Sequence, residues 1–253
     1  MSLSPESGRQ QSNLFANYQR LLDDKLFYKA LINTAKYSVL SILIILPFSL
    51  GLVYLFSLLG KRLRYFSSFI LLLPGLLPPI VLAILFMNVF HGREGLLNQI
   101  FILPFGEPAV NWMSHPDYIL PSMIIQSVWR WTGFITLFLL CGLEAVPKSI
   151  KEAASLEGAN SFQIFRSIEV PAMKHLIIFC AAFLFIDTFS LFAGSFTLLG
   201  PSGGTANAGL ILVNYAYRFT RFQEFNMAAT VCIATLPVLM LLTGLLCLKR
   251  GKR

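Results

Sequence analysis

Charged residues are scarce in this chain. Asp, Glu, Lys and Arg make up 13% of its 253 residues, whereas about a quarter is usual in soluble domains. Hydrophobic residues make up 56%, and the mean hydropathy is +0.69. This composition argues against a water-soluble domain. Alternating strands of about ten residues are missing as well, so an outer-membrane barrel is not indicated.

Motifs for metal binding and catalysis are also missing. The three histidines lie far apart, and no ligand spacing relates the cysteines Cys141, Cys180, Cys232 and Cys247. The phosphate-binding Walker pattern is absent, and no nucleophile is paired with a base. We therefore expect a chain that is not an enzyme, binds no metal or cofactor, and takes any transport energy from another subunit or an ion gradient. Residues 1–19 lack an apolar core, so no cleavable signal sequence is expected.

What the sequence does contain is a set of long apolar runs. Each has the roughly 20 residues that a helix needs to cross the hydrocarbon core of a bilayer. The runs are Ala35–Leu58, Phe66–Phe90, Ile119–Cys141, Leu176–Thr197 and Met227–Leu248. They predict an all-α integral membrane protein with five transmembrane helices. Residues 35–248 would form the membrane domain. Residues 1–34 would form an N-terminal tail that contains an amphipathic helix at 18–31, and residues 249–253 would form a basic tail.

Basic residues gather on one side of the predicted spans. If the spans alternate in direction, this side carries Lys61, Arg62, Arg64, Lys148, Lys151, Arg166, Lys174, Lys249, Arg250, Lys252 and Arg253. In membrane proteins Lys and Arg are enriched in the cytoplasmic loops, which is known as the positive-inside rule. It places residues 143–174 and the C-terminus in the cytoplasm. The basic residues of the N-terminal tail do not fit, because they would lie outside. The distribution favours a membrane over nucleic acid as the partner.

Residues 143–174 form a polar insert between the third and fourth spans. Pro147 suits the first position of a helix, and the following Lys148–Glu157 contains good helix formers. Gly158 suits the left-handed residue that ends a helix. The insert is therefore predicted to begin with a short helix that ends in a sharp bend.

A second short helix is predicted after the bend. Asn160, with Gln163 three residues later, has the pattern of a capping box, and Pro171 would stop this helix. The two helices could dock on a soluble partner, or they could lie on lipid headgroups.

Prolines interrupt the second span. Pro74-Gly75 and Pro78-Pro79 lie near its middle and predict a kink or a break, which could serve packing or act as a hinge beside a pathway. The long loops at 91–118 and 200–226 could bind an external partner, form a gate, or be ordinary connections.

Ionisable residues within two spans are candidates for a polar route. Arg130 lies near the middle of the third span and Asp187 near the middle of the fourth, where charged groups are costly and usually face a cavity. Asp187, Ser190 and Gly194 recur at helical spacing and are predicted to share one face. Trp129, beside Arg130, offers an aromatic surface for a sugar ring or a cation. The candidate pathway residues are Gln126, Trp129, Arg130, Asp187, Ser190 and Gly194. Alternatively, Arg130 snorkels to an interface and the small residues permit helix packing.

The insert resembles the signature loop in permease subunits of binding-protein-dependent ABC importers. The matching residues are Glu152, Ala153, Ala154, Gly158, Ile168 and Pro171, with Val170 where the pattern usually has Leu. Further similarity to the maltose-type sugar permease family extends over nearly the whole chain from Asn13. It is carried by Asn17-Tyr18, Leu21-Leu22, Phe27–Thr34, Pro74, Pro78, Gly95–Asn98, Trp112, Trp129–Phe134, Tyr215 and Tyr217. The chain departs from this family in the order of Gly200–Gly204, and in beginning about where a further N-terminal span of the family would end.

The resemblance implies a type I ABC importer permease core in a bacterial or archaeal cytoplasmic membrane. Its implied partners are two ATPase subunits that carry ATP and Mg, a second permease that is usually an unlike subunit, and an external solute-binding protein. The matching residues of the insert would form coupling helices in a groove of the ATPase. The implied substrate is a sugar, an oligosaccharide or a sugar-like polyol derivative. An importer of another solute, such as polyamine or phosphonate, a gradient-driven carrier and a membrane scaffold are the alternatives.

Overall fold

The computed structural model describes residues 14–248, and every regular element in that range is helical. Residues 1–13 and the predicted basic tail at 249–253 lie outside the described residues. The helices are α1 (Leu14–Asp23), α2 (Lys25–Ser57), α3 (Lys61–Leu76), α4 (Pro79–Val89), α5 (Pro116–Glu144), α6 (Lys148–Leu156), α7 (Ser161–Ala172), α8 (Lys174–Phe189), α9 (Ala193–Leu199), α10 (Leu212–Arg221) and α11 (Phe225–Leu248). The prediction of an all-α fold is confirmed.

Two of these helices, α2 and α5, are long and apolar enough to cross a membrane alone. The number rises to four if α3 with α4, and α7 with α8, are each counted as one bent span. A shorter apolar stretch, Phe225–Met240, lies in α11. The exact count of five spans therefore stays a prediction.

The predicted interruption of the second span is a sharp break. The axes of α3 and α4 meet at 98°, and the break falls at Leu77 and Pro78, whereas Pro74 lies inside α3. Leu77 has an extended ψ of 136°, as expected for a residue that precedes proline.

The start of the first span differs from the prediction. The expected amphipathic helix at 18–31 is interrupted at Asp24, so α1 is separate and α2 already begins at Lys25. Asp24 caps α2, because its Oδ1 accepts a hydrogen bond from the backbone N–H of Leu26 at 2.7 Å. Its Oδ2 accepts from the hydroxyl of Tyr215 at 2.6 Å. Burial, together with this carboxyl neighbour, raises the pKa of Tyr215, which keeps its hydroxyl protonated as a donor.

The long helices pack around α5. This helix lies along α2 and α3, while α8 lies along α2 and α4 contacts α9. Ile45 of α2, Leu139 of α5 and Leu184 of α8 are fully buried in one apolar cluster between them. A second cluster joins α1, α10 and α11, and a third joins α4 and α5.

The bundle has two distinct ends. The insert end carries residues 145–173, and the loop end carries the connections that follow α4 and α9. At the loop end, the Arg20 guanidinium forms an ion pair with Glu224 (2.7 Å), and Lys29 Nζ donates to the carbonyl of Ala206 (2.6 Å). These basic residues, which do not fit the charge rule, thus have partners on the loop side.

One side chain organises the connection after α4. Asn98 is fully buried, and its Nδ2 donates to the carbonyls of Gly92 (2.8 Å) and Val110 (2.9 Å). Its Oδ1 accepts from the indole N–H of Trp112 (3.0 Å). The segment between these contacts is closed at its base, while its tip at Gly106 has a left-handed φ of 77° and open space around its Cα.

A glycine allows α3 and α5 to approach closely. A Cβ added to Gly133 would lie 1.6 Å from the carbonyl oxygen of Leu71, so no other residue fits without a backbone shift. Small residues have this role in many membrane helix pairs.

We expect Gly133→Ala to lower the apparent melting temperature of the purified protein by roughly 2–10 °C, because overpacking costs about 1–3 kcal/mol. The matched control is Gly51→Ala in α2, where an added Cβ has no atom within 4 Å. Melting is measured as the loss of monodispersity on heating in detergent. If both variants melt at the same temperature, the close helix crossing is contradicted.

Candidate functional site

The insert consists of two short helices joined by a bend. After α6, Gly158 has a left-handed φ of 89°, which favours glycine. Asn160 then caps α7: its Oδ1 accepts from the N–H of Gln163 (2.9 Å), and Gln163 Oε1 accepts from the N–H of Asn160 (2.8 Å). The predicted bend and capping box are confirmed.

The prediction that Pro171 stops the second helix is wrong. α7 continues to Ala172, and the chain bends by 68° between α7 and α8, at Met173. The turn before Pro171, Phe165–Glu169, is a π-helical turn. Such wide turns accommodate a missing backbone N–H without ending the helix. The position of Pro147 also differs slightly from the prediction. It is the residue before α6 and not the first residue of that helix.

The signature residues of the insert are largely accessible. Glu152, Ala153, Gly158 and Pro171 are exposed, and Ala154 and Ile168 are partly buried. α6 buries none of its residues, and Leu156 at its end is 90% exposed. Among the described residues, Glu152 has no ion-pair partner. We call α6 and the following bend the insert surface.

A buried ion pair holds the insert together, and sequence reasoning missed it. Lys151 Nζ of α6 lies 2.6 Å from Glu169 Oε1 of α7, and Glu169 is almost fully buried. The same ammonium donates to the carbonyl of Leu143 in the last turn of α5 (3.3 Å). The pair therefore connects α6 to α7 and to the end of α5. No local pattern links residues so far apart across a bend.

Aromatic rings connect the insert to α2. The ring of Tyr54 lies 5.6 Å from that of Phe162 and 5.2 Å from that of Phe165, which is buried. Nearby, the Arg64 guanidinium donates to the carbonyls of Phe56, Ser57 and Leu59 and lies 3.5 Å from Glu144. The insert is thus fixed to the ends of the membrane helices.

A second candidate site is a polar pocket at mid-bundle. It is a small space of about 10 Å³ and is lined by Tyr37, Pro79, Leu82, Gln126, Ser127, Arg130, Trp131, Asp187, Leu191 and Gly194. The Trp131 indole N–H donates to Asp187 Oδ2 at 2.7 Å, and the Arg130 guanidinium lies 4.8 Å from the centre of the Trp131 ring. The structure therefore brings the predicted Gln126, Arg130, Asp187 and Gly194 together, with Trp131 between the two charged groups.

Two pocket groups have no hydrogen-bond partner within the described protein. They are the buried Gln126 Nε2 and Arg130 Nε atoms. Buried polar groups are normally paired, so such a cluster marks a place where a polar molecule fits. The space is about that of one water molecule in this state.

Two predicted pathway residues lie elsewhere. Trp129 packs against the ring of Phe86 at 5.5 Å, and Ser190 is exposed, with its hydroxyl bonded to the Ile186 carbonyl. The prediction that Asp187, Ser190 and Gly194 share one helical face is wrong, because α8 ends at Phe189 and α9 begins only at Ala193.

Within the residues that the structure describes, no group of three or more His, Cys, Asp or Glu side chains could hold a metal ion. Cys141, Cys180 and Cys232 are free thiols. Cys247 lies outside the described side chains.

Known permease proteins are similar to this chain over most of its length. It is 32% identical to the arabinooligosaccharides transport system permease protein AraP of Bacillus subtilis, over 90% of this chain and 72% of AraP. It is 33% identical to the lactose transport system permease protein LacF of Rhizobium radiobacter, over 85% and 73%. It is 31% identical to the trehalose/maltose transport system permease protein MalF of Thermococcus litoralis, over 93% and 78%.

The fold also matches a solved structure. A bacterial ABC transporter involved in the import of the acidic polysaccharide alginate superposes with a TM-score of 0.83 at 19% identity, over 94% of this chain and 84% of that chain. The family described as binding-protein-dependent transport system inner membrane component matches residues 44–250. The chain belongs to this family of inner-membrane permease subunits of ABC importers.

Proposed function

We propose that this chain is the membrane-embedded permease subunit of an ATP-driven importer and that it translocates a sugar, an oligosaccharide or a sugar-like polyol derivative. An external solute-binding protein delivers the substrate at the loop end, and a second permease completes the translocation path. The named relatives transport arabinooligosaccharides, lactose and trehalose or maltose, which supports a carbohydrate substrate. ATP and Mg belong to a partner ATPase.

In this proposal the insert end faces the cytoplasm, and the ATPase grips the insert surface. Ala153 and Ala154 allow close approach, Glu152 supplies a charge for a basic group of the ATPase, and Gly158 sets the bend. Ile168 and Pro171 shape the path from α7 into α8.

The observation that carries the proposal is the connection between insert and pocket. Lys151 bonds to the end of α5 and to α7, and α7 continues through a bend into α8. Arg130 belongs to α5 and Asp187 to α8, and both line the pocket. A displacement of the insert is therefore transmitted to two walls of the pocket at once. Rigid-body switching of this kind requires each ligand to bind the two states with different affinity, and here ATP and the loaded binding protein would both favour the outward-facing state.

The chemistry of the pocket favours a sugar over the other solutes. Its charged lining groups are Arg130 and Asp187, whose charges balance, and Tyr37, Gln126 and Ser127 add neutral donors and acceptors. A polyamine would need an excess of carboxylates and a phosphonate an excess of cations. A neutral molecule rich in hydroxyl groups fits this lining.

Reconstitution tests the proposed function directly. The chain, its ATPase and its second permease are placed in liposomes, and ligands are screened on the solute-binding protein. We expect ATP-dependent uptake of a carbohydrate that requires the binding protein. Uptake driven by an ion gradient without ATP, or an assembly that contains no ATPase, would refute the proposal.

The bend at Gly158 provides a sharper test. Gly158→Val should reduce uptake severalfold while the chain still inserts, because a β-branched residue with positive φ costs at least about 1–2 kcal/mol and would alter the bend. Gly158→Asn is the matched control, since Asn tolerates this conformation.

Open space surrounds the Cα of Gly158, so a steric clash would not explain the loss in the Val variant. The measurement is substrate uptake together with ATPase activity in the same liposomes. Equal uptake by the Val and Asn variants would show that the bend has no coupling role.

Cysteine accessibility tests the pocket. In a cysteine-free background, Gly194→Cys should react with a small charged thiol reagent in at least one nucleotide state, because an added Cβ there makes only ordinary contacts. Ile186→Cys is the control: it lies on α8 next to Asp187, is half exposed but does not line the pocket, and should not react when lipid covers it. If Gly194→Cys stays unreactive with and without ATP, the substrate route lies elsewhere.

A further inference from the structure

A second cavity lies at the insert end, away from the pocket. It has a volume of about 540 Å³, many times the roughly 30 Å³ of one water molecule. It is lined by Ser57, Leu58, Lys61, Arg64, Tyr65, Leu143, Glu144, Val146, Lys148, Lys151, Ser161, Ile164 and Glu169. We call it the basic cleft. It lies between the start of α3, the end of α5 and the insert.

The charges in the basic cleft do not balance. Its two carboxylates are already engaged, since Glu169 pairs with Lys151 and Glu144 lies near Arg64. Lys61 and Lys148 are exposed, and neither has a carboxylate partner among the described residues. Two positive charges therefore remain without a counter-ion.

The surroundings of these two lysines strengthen the positive potential. Lys61 is the first residue of α3 and Lys148 the first of α6, and neither helix has a side-chain cap. The positive ends of both helix dipoles thus add to the lysine charges.

An exposed apolar face adjoins the basic cleft. On α3, Leu63, Phe66, Ile70 and Leu73 follow at helical spacing and are 46–63% exposed. This face starts at the level of the cleft and runs along the membrane-spanning part of the helix. Tyr65, a type of residue enriched at membrane interfaces, lies on the rim.

We propose that the basic cleft binds the phosphate headgroup of an anionic phospholipid, whose acyl chains lie along the exposed face of α3. Basic pockets at the cytoplasmic ends of membrane helices suit such headgroups. The bound lipid would contact α3, α5 and α6 together, and would connect the insert to the composition of the inner leaflet. A free phosphate or an acidic side chain of the ATPase has the matching charge, but neither would use the apolar face.

Native mass spectrometry of the full-length chain in detergent tests this proposal. The probes are phosphatidylglycerol and phosphatidylcholine with identical acyl chains. We expect preferential retention of phosphatidylglycerol that weakens with rising salt. Lys61→Gln with Lys148→Gln should weaken it about 30-fold, because each lysine near an anionic lipid contributes about 1 kcal/mol.

The matched control removes two basic residues outside the cleft, Arg62→Gln with Lys174→Gln. It should retain phosphatidylglycerol nearly as well as the parent chain. Melting temperatures of both double variants show whether they fold. The lipid preference of the parent chain tests the proposal even if a variant misfolds.

Three results would overturn the proposal. The first is equal retention of the two lipids by the parent chain, or equal weakening in both double variants. The second is displacement of phosphatidylglycerol by excess inorganic phosphate, which would identify a free anion as the ligand. The third is displacement by the ATPase with crosslinks from Lys61 to it, which would assign the cleft to that partner. Each of these results leaves the reconstitution assay of import unaffected.

Discussion

The hydrocarbon core of a membrane offers the backbone no hydrogen-bond partner, and this constraint governs the structure. Helices satisfy it, so a helix that breaks within the bundle must do so where protein groups or a polar space are near. Both interior breaks obey this rule. Pro79 follows the first break, Leu191 lies in the second, and both line the polar pocket. The pocket is thus built where the helices are interrupted.

The insert is accessible and at the same time held in place. α6 buries none of its residues, so apolar packing of this helix contributes little to its position. The pair of Lys151 with Glu169 and the bond to Leu143 hold α6, while the ring contacts of Phe162 and Phe165 with Tyr54 hold α7 against α2. Buried ion pairs contribute little net stability, but losing one partner is costly, which suits them to fixing geometry. The insert is therefore fixed to the helix bundle by side-chain contacts.

The sequence predicts local features well and long-range ones poorly. The break before Pro79 and the bend at Gly158 follow from the backbone preferences of single residues, and the Asn160 capping box spans one turn. In contrast, the ion pair of Lys151 with Glu169 depends on side chains that meet only in the folded chain. The early start of α2 at Lys25 follows from a local cap that sequence reasoning overlooked, because Asp24 accepts from the N–H of Leu26. The interruption between α8 and α9 has no proline, and its polar residues at helical spacing suggested a continuous helix. The sequence predicts part of the pocket, because charged residues within an apolar span are energetically costly and therefore indicate a polar site. The position of Trp131 between the two charged groups depends on how the helices pack and cannot be read from the sequence.

The hydrogen bonds of Asn98 have a practical consequence for engineering. One buried amide closes the base of the segment that follows α4, and the exposed tip at Phe105 and Gly106 contributes nothing to that closure. Entropy changes slowly with the length of a loop whose ends are held. The tip is therefore a place where an epitope or a fluorescent reporter can be inserted without breaking the hydrogen bonds of Asn98 at the base.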